Sequence, residues 1–305
     1  MTPDVSIIIE WDNVTLAGAP RAQAMMRRLA EEAGSCARPL EILICHDGEA
    51  PPDASIKGCG LPPVWRVVRA PGARYYELKN RGAAESAGEI LVFLDSDAIP
   101  EPGWLEGILA PFGDPAVQVV AGHAYIQAES LYSRAFALTW FFPLRAGPEP
   151  LKPVTRFFAN NVASRRPTFL AHPFAPIEGT SRGACVALAK ELLEEGIPIW
   201  KTTAAQVAHP APRGGRHFAL RALAEGRDRL ARESGWRVTI LGSMARVAHH
   251  CGAGLVVTVR HRGKVGLSPA AVPGALAICW AYYVICFAGE AATLLGLDAI
   301  RRVRV

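Results

Sequence analysis

The first hundred residues alternate short apolar runs, rich in β-branched side chains, with segments of helical periodicity. Residues 5–9, 40–45 and 90–94 are each almost entirely apolar, which is typical of strands buried on both faces of a sheet. Helical patterns over residues 21–33 and 80–88 lie between these runs. Because strands that alternate with helices form mainly parallel sheets, the sequence predicts an α/β, Rossmann-like fold with a mainly parallel central sheet.

The later elements are less regular, but the chain divides into two parts. Its 305 residues suffice for one large α/β domain with a small appendage. The sequence changes character near Trp236, so we expect one domain over residues 1–235 and an apolar helical segment over residues 236–305. Further predictions are a loop over residues 49–63, strands over residues 65–68, 117–125 and 197–209, and helices over residues 185–195 and 218–233.

Charge and cysteine content narrow the classes of function. The 33 Lys and Arg against 28 Asp and Glu give a net charge of +5, too small and too evenly spread to indicate nucleic-acid binding. Seven cysteines without a C-x-x-C spacing are typical of reduced thiols, not of disulfides or a zinc site. The N-terminal MTPDVSIIIE lacks the basic region of a signal peptide, so we expect a cytoplasmic protein.

Residues 271–289 contain no charged side chain, and a bilayer span needs about 20 apolar residues. Three interpretations stay open: a helix that lies in the membrane interface, a true span, and a buried packing helix. Of these we expect the in-plane helix, because Trp280, Tyr282 and Tyr283 lie near the middle of the run. Aromatic rings there would reach lipid headgroups only if the helix lay in the membrane plane.

The segments around this run are also informative. Residues 239–259 are apolar, but Arg246, His249 and His250 interrupt them, so we expect no span there. Basic residues on both sides of residues 271–289 suit an anionic membrane surface, so we expect association with the inner face of the cell membrane. These basic residues are Arg260, Arg262, Lys264, Arg301, Arg302 and Arg304.

The stretch LKNRGAAESAGEILVFLDSDAIPEPGWL, residues 78–105, carries the most specific chemistry. Its apolar strand ends in Asp95-Ser96-Asp97, and carboxylates at positions i and i+2 of a strand point the same way. They repel each other unless a cation lies between them. A hard divalent cation such as Mg²⁺ or Mn²⁺ prefers oxygen ligands and also bridges the phosphates of a nucleotide diphosphate. A solvated turn is the alternative for such a short motif taken alone.

The whole stretch resembles the diphosphate-binding signature of the family-2 glycosyltransferases, because Asn80 and Gly82 precede the strand and Pro100, Trp104 and Leu105 follow it. The resemblance extends over residues 4–215. It implies a GT-A fold, a nucleotide-diphosphate sugar as donor, and Mg²⁺ or Mn²⁺ as cofactor. It also implies an acceptor hydroxyl on a glycan, a lipid-linked molecule or another compound, as in polysaccharide or glycolipid biosynthesis.

The same resemblance suggests individual site residues. In this family the end of the first strand contacts the base and ribose, and the second strand ends in a turn that Asp47 and Gly48 match here. Asp47 as a turn cap, Asn80 as a helix N-cap and His209 as a structural histidine are the open alternatives. The resemblance implies nucleotide-sugar binding by Glu10, Asp12, Asp47, Asn80 and Asp95, and metal binding by Asp95, Asp97 and His209.

The catalytic base is where the chain departs from the family. Inverting members carry a Glu-Asp pair at a position that Arg182 and Gly183 occupy here, and neither can act as a carboxylate base. Glu178, a few residues upstream, is the candidate base. The sequence thus favours a metal-dependent inverting glycosyltransferase. The alternative is a catalytically silent relative that binds a nucleotide sugar or a partner at the membrane. A nucleotidyltransferase is disfavoured, because EWDNVTLAGAP lacks its Gly-rich, Arg-containing loop.

Overall fold

The computed structural model describes residues 3–48, 56, 58–60, 65–175, 177, 180, 182–301 and 303. It forms two compact units, each assembled from several chain segments. The sheet unit comprises Met1–Tyr125, Arg145–Pro176 and Ala184–His209, and the helical unit comprises Ile126–Leu144, Ile177–Gly183 and Pro210–Val305. The boundary expected between residues 235 and 236 stays a prediction, because compactness divides the chain at other places.

The strands form one mixed sheet in the spatial order β3-β2-β1-β4-β8-β6-β9-β5, with β7 paired to β9. The pairs β1–β2, β1–β4 and β2–β3 are parallel, and antiparallel strands extend the sheet beyond β4. The predicted α/β fold is confirmed, with the parallel part formed by the strands whose apolar runs indicated it. The strands are β1 (Val5–Glu10), β2 (Leu40–His46), β3 (Trp65–Arg69), β4 (Ile90–Asp95), β5 (Ile99–Pro100), β6 (Val119–Ile126), β7 (Lys152–Val154), β8 (Asn161–Arg165) and β9 (Ile199–His209).

Helices follow most of the strands along the chain. They are α1 (Val14–Ala17), α2 (Ala19–Ser35), α3 (Tyr75–Glu85), α4 (Trp104–Leu109), α5 (Leu131–Thr139), α6 (Arg166–Ala171), α7 (Ala184–Glu194), α8 (Gly214–Leu230), α9 (Ile240–His261), α10 (Val272–Leu294) and α11 (Asp298–Arg301). Most predicted elements are found within about four residues of their expected bounds. The loop expected over residues 49–63 lies largely outside the described residues.

Helix α3 differs most from its predicted bounds, since it begins at Tyr75 and not at Asn80. The carboxylate of Glu77 accepts a hydrogen bond from the backbone N–H of Arg74 at 2.9 Å, which fixes the start of the helix one turn earlier than expected. Asn80 therefore lies inside the helix, and its interpretation as a helix N-cap is wrong. This shift also brings Lys79 onto a helical face that is completely buried.

The core of the sheet unit lies where β4 packs against the helices. Phe93, on β4, contacts Phe169 and Phe174, with ring centroids 4.5 Å and 5.7 Å apart. Leu188 and Leu192 of α7 belong to the same buried cluster. Because apolar side chains fill this side of the sheet, β4 offers a polar group for a site at the carboxyl end of the strand, where Asp95 lies.

The helical unit is built around α10, which packs against α5, α8 and α9. Tyr282 and Tyr283 are buried: Tyr282 accepts a hydrogen bond from Trp140 Nε1 at 3.1 Å, and Tyr283 donates one to the Thr139 carbonyl at 2.6 Å. The expectation that these two tyrosines reach lipid headgroups is therefore wrong. Both rings are needed inside the unit, because each satisfies its hydroxyl there and fills space between helices.

Candidate functional site

The register of the parallel strands gathers several chain turns at one edge of the sheet. Glu10, the last residue of β1, lies directly opposite Asp95, the last residue of β4. The turns over residues 11–13 and 96–98 therefore leave the sheet side by side, and the turn after β2 lies next to them. This edge is where open α/β sheets bind their ligands, and most of the predicted site residues lie on it.

Asp95 is surrounded by donors from the protein. Its Oδ1 accepts hydrogen bonds from Lys79 Nζ at 2.7 Å and from the Tyr75 hydroxyl at 2.8 Å. Its Oδ2 accepts from Asn13 Nδ2 at 3.0 Å. Lys79 and Asp95 are both buried, so they form a desolvated ion pair in which removal of one charge would strand the other.

Glu10 lies beside this pair and is completely buried. Its Oε2 accepts from the backbone N–H groups of Asp12 and Asn13 at 2.8 Å and 3.1 Å, and its Oε1 accepts from that of Ser96 at 3.2 Å. Burial, followed by the charge of Asp95, raises the pKa of Glu10 well above its ordinary value. Glu10 thus ties the turn after β1 to the turn after β4. Its predicted contact with a nucleotide stays a prediction.

Asp97 and His209 lie on the outer side of this network. Asp97 Oδ1 is 3.6 Å from His209 Nε2, and Asp95 offers an oxygen within the same 4.8 Å cluster. Asp97 belongs to the turn after β4, whereas His209 is the last residue of β9. One histidine nitrogen together with carboxylate oxygens is a donor set that fits Mn²⁺ or Mg²⁺. The sequence thus identified three residues that the fold brings together from two strands.

Arg21 links the two strand ends that carry Asp97 and His209. Its Nε donates to the Asp97 carbonyl at 2.8 Å, and its Nη2 donates to the carbonyl of Ala208 at 2.6 Å. The guanidinium is planar, so its two contacts fix the distance between those backbones. The sequence analysis missed Arg21, although a cation in the first turn of α2 opposes the helix dipole and so indicates a specific partner.

The remaining predicted nucleotide-binding residues have different surroundings. Asp12 and Asp47 are partly buried in the turns after β1 and β2, at the edge described above. Asn80 lies apart from that edge: its Nδ2 donates to the Phe174 carbonyl at 2.8 Å, and its Oδ1 accepts from the Phe174 N–H at 3.1 Å. Both amide atoms therefore hold a loop of the sheet unit, and a role for Asn80 in nucleotide binding stays a prediction.

The predicted catalytic base, Glu178, lies outside the described residues. Its neighbours in the helical unit are partly described, since the backbone N–H of Arg182 donates to Asp228 Oδ2 at 2.8 Å. Asp228 is itself paired with Arg227, at 2.7 Å between Oδ1 and Nη2. Thus α8 anchors the chain immediately after the predicted base.

Comparison with known proteins agrees with the chemistry of this edge. The family model described as Glycosyl transferase family 2 matches residues 20–170, which include Asp95 and Asp97. The pre-mycofactocin glycosyltransferase of Mycobacterium tuberculosis is 25% identical over 248 residues, which are 80% of this chain and 47% of that protein. The putative glycosyltransferase EpsH of Bacillus subtilis is 29% identical over 87 residues, 28% of this chain and 25% of its own length. The chain spans about half the length of the first of these relatives.

Solved structures show the same fold at low identity. The mannosyltransferase PcManGT from Pyrobaculum calidifontis, in complex with GDP-Man and Mn²⁺, has a TM-score of 0.57 and 14% identity, over 98% of this chain and 88% of that chain. GalNAc-T7 with UDP, GalNAc and Mn²⁺ has a TM-score of 0.51 and 14% identity, over 70% and 44% of the two chains. These likenesses concern the fold alone.

Proposed function

We propose that this chain works as a metal-dependent inverting member of the family-2 glycosyltransferases and moves a sugar from a nucleotide-diphosphate sugar to an acceptor hydroxyl. The observation that carries the proposal is the meeting of Asp97 and His209 at the carboxyl edge of the sheet, next to Asp95. The family match supports it, because residues 20–170 contain the strand and turn that present both aspartates.

In this proposal Asp97 and His209 hold Mg²⁺ or Mn²⁺ directly. The bound cation would neutralise negative charge that develops on the nucleotide-diphosphate leaving group. Asp95, predicted both as a metal ligand and as a nucleotide-binding residue, already accepts hydrogen bonds from Lys79, Tyr75 and Asn13. We therefore propose that the main role of Asp95 is to orient the turn that carries Asp97. Hydrogen bonds around a metal site orient its ligands in the same way.

Donor class and metal are supported by the fold neighbours. PcManGT is described with GDP-Man and Mn²⁺, and GalNAc-T7 with UDP, GalNAc and Mn²⁺. For this chain the same class of donor would lie along the edge formed by the turns after β1, β2 and β4. There Asp12 and Asp47 would accept hydrogen bonds from a ribose or a base, since carboxylate oxygens act only as acceptors when ionised.

The acceptor hydroxyl needs a base, and Glu178 is our candidate. A carboxylate in contact with the hydroxyl would take its proton as the oxygen attacks the anomeric carbon from the face opposite the departing diphosphate. We expect Glu178→Gln to lower kcat by about 10²-fold or more while the Kd of the donor is unchanged. Glu194→Gln, an exposed substitution on α7, is the matched control. An equally active Glu178→Gln enzyme would transfer the role to another carboxylate.

One experiment separates this proposal from the silent relative. We would incubate the protein with a panel of UDP- and GDP-sugars in Mn²⁺ and in EDTA, and measure release of the nucleoside diphosphate. Metal-dependent release of UDP or GDP from one donor supports an active transferase. Tight binding of a donor with no release, in the presence and absence of candidate acceptors, would support the silent relative, which the missing Glu-Asp pair favours.

We further propose that the enzyme works on the cytoplasmic side of the cell membrane, where lipid-linked or membrane-bound acceptors are presented. The charge-free run over residues 271–289 and the basic residues around it are the support from the sequence. Within the part of the chain that the structure describes, two helices are long and apolar enough to cross a bilayer, Ile240–Val265 and Pro269–Leu294, a property that core helices of soluble proteins share.

A further inference from the structure

The two apolar helices of the helical unit are exposed to different extents. Helix α10 has the higher mean hydropathy, yet 33% of its most apolar window is buried within the protein, against 17% for α9. Cys279, Tyr282 and Cys286 of α10 are almost inaccessible. The more apolar helix is therefore the more buried of the two, although Trp280 and Val284 of α10 are exposed.

The outward side of α9 is apolar along its whole length. We call it the α9 face and define it by Leu241, Met244, Leu255, Val256 and Val259, which are between 43% and 74% exposed. At 100° per residue these positions fall within an arc of about 120°, and they span about 27 Å along the helix axis. The other residues within this arc are alanine and glycine: Ala245, Ala248 and Gly252.

Two of the three polar residues that argued against α9 as a membrane element, Arg246 and His250, lie away from this face, whereas His249 is exposed at its edge. Arg246 donates to both carboxylate oxygens of Glu290, at 3.2 Å and 3.1 Å from its Nε. His250 stacks on Tyr283 with ring centroids 4.7 Å apart. Both contacts join α9 to α10 inside the unit. Polar groups satisfied in this way place no charge on the α9 face.

A bilayer-spanning arrangement conflicts with the packing of α8. The ring of Phe218 on α8 lies 5.5 Å from that of Tyr282, and Gly226 leaves no room for a methyl group beside the backbone of Cys286. The same helix carries charged side chains in ion pairs. If α10 crossed the bilayer, α8 would carry those charges into the hydrocarbon, which is strongly unfavourable. The pairs are Arg221–Glu225 and Arg229–Glu225.

Charge identifies the occupant of the α9 face. Residues 234–289 contain no Asp or Glu, so every ionised side chain in this part of the chain is positive or a histidine. Arg260 and Lys264, at one end of the face, are exposed. A second copy docked through the same face would bring like charges together, whereas anionic lipid headgroups complement them.

We propose that the α9 face docks the helical unit in the plane of an anionic bilayer surface, with its apolar side chains among the acyl chains and Arg260 and Lys264 at the phosphates. The inference deepens the membrane association proposed above. Of the three interpretations of residues 271–289, it favours the packing helix, which is α10. The membrane contact is then made by α9. The acceptor class that follows is a hydroxyl carried on a lipid or presented at a lipid surface.

The test uses the full chain and vesicles, without donor or metal, so that its result is independent of catalysis. We expect flotation with vesicles of phosphatidylcholine and phosphatidylglycerol, and at least tenfold weaker binding to phosphatidylcholine alone or in high salt. The double variant Leu241→Glu/Val256→Glu should lose at least tenfold in binding. Leu193→Glu, at an exposed leucine of α7 in the sheet unit, should bind like the wild type.

Other outcomes decide against the proposal. Unchanged vesicle binding by both Leu241→Glu/Val256→Glu and the milder pair Leu241→Gln/Val256→Thr would overturn it, with circular dichroism as the check that the variants fold. A wild-type protein that leaves membranes only in detergent would establish a span. The wild-type protein could instead fail to bind vesicles and sediment as a dimer. If Leu241→Glu/Val256→Glu then sediments as a monomer, the α9 face is the contact with a second copy.

Discussion

Each compact unit contains a largely buried ion pair, and the two pairs differ in what surrounds them. In the helical unit Arg246 and Glu290 join α9 to α10, and Arg246 also donates to the Arg237 carbonyl. In the sheet unit Lys79, on α3, pairs with Asp95, the last residue of β4. Asp97, two residues after Asp95, faces His209. A desolvated ion pair thus joins two helices in one unit, whereas in the other unit it lies next to a candidate metal centre. In this comparison a buried carboxylate at a strand end stabilises the fold, whereas its neighbour Asp97 is the residue that we propose binds the metal.

Removal of Lys79 should have the largest effect on stability. Lys79→Met leaves Asp95 buried without its cation, and breaking a buried pair in this way typically costs about 3–5 kcal/mol. Urea unfolding measures the loss, with the exposed Lys190→Met as control. The double variant Lys79→Met/Asp95→Leu should recover most of the stability, because no charge is then stranded. A loss below about 1 kcal/mol in Lys79→Met would show that Asp95 is solvated or protonated and would break the comparison.

Asp97 should behave in the opposite way. Asp97→Ala removes a carboxylate from a turn, so we expect a small change in stability. We expect Mn²⁺-dependent binding of UDP or GDP to weaken by about 10²-fold, or about 2.7 kcal/mol, because a direct ligand is lost. Titration calorimetry with Mn²⁺ or EDTA measures this, and Asp4→Ala is the control. Equal affinity in Asp97→Ala and wild type would remove the metal assignment while leaving the fold intact.

The sequence predicted the residues of the candidate metal centre better than the residues that support them. Asp95 and Asp97 could be assigned because an apolar strand runs directly into them, and His209 because the family resemblance implies a histidine at this place. Lys79 could not, since it lies just before the predicted helix over residues 80–88, and its burial depends on α3 beginning at Tyr75. The α9 face was missed for a related reason. The sequence shows that Arg246 and His250 interrupt the apolar residues 239–259, but it does not show that both side chains contact α10.

Arg21 offers a finer test of how the strand ends are held. Arg21→Met removes both hydrogen bonds that join the backbones of Asp97 and Ala208 while it leaves the side chains of Asp97 and His209 in place. Loss of such an orienting contact typically costs about tenfold in metal affinity. Electron paramagnetic resonance of free Mn²⁺ measures the Kd without any assay of activity. Arg28→Met, at a partly exposed position of the same helix, is the control, and equal Mn²⁺ affinities in the two variants would make Arg21 merely structural.

The smallest effect concerns the helical unit and its response to acid. Burial, followed by the charge of Arg229, lowers the pKa of His250 to about 4. Between that pH and about 6.5, the ordinary pKa of histidine, the unfolded chain binds a proton that the folded protein does not bind. Stability should therefore fall as pH is lowered through this window and stay constant with respect to His250 above it.

Since His250 is only partly buried, screening by water limits the loss to about 1 kcal/mol or less at pH 5. His250→Phe retains a ring that can stack on Tyr283 but cannot titrate, so its unfolding free energy should fall less between pH 7.5 and pH 5 than that of the wild type. His249→Phe, at the exposed neighbouring position, serves as the control. If His250→Phe and wild type lose the same stability over that range, the acid response does not come from His250.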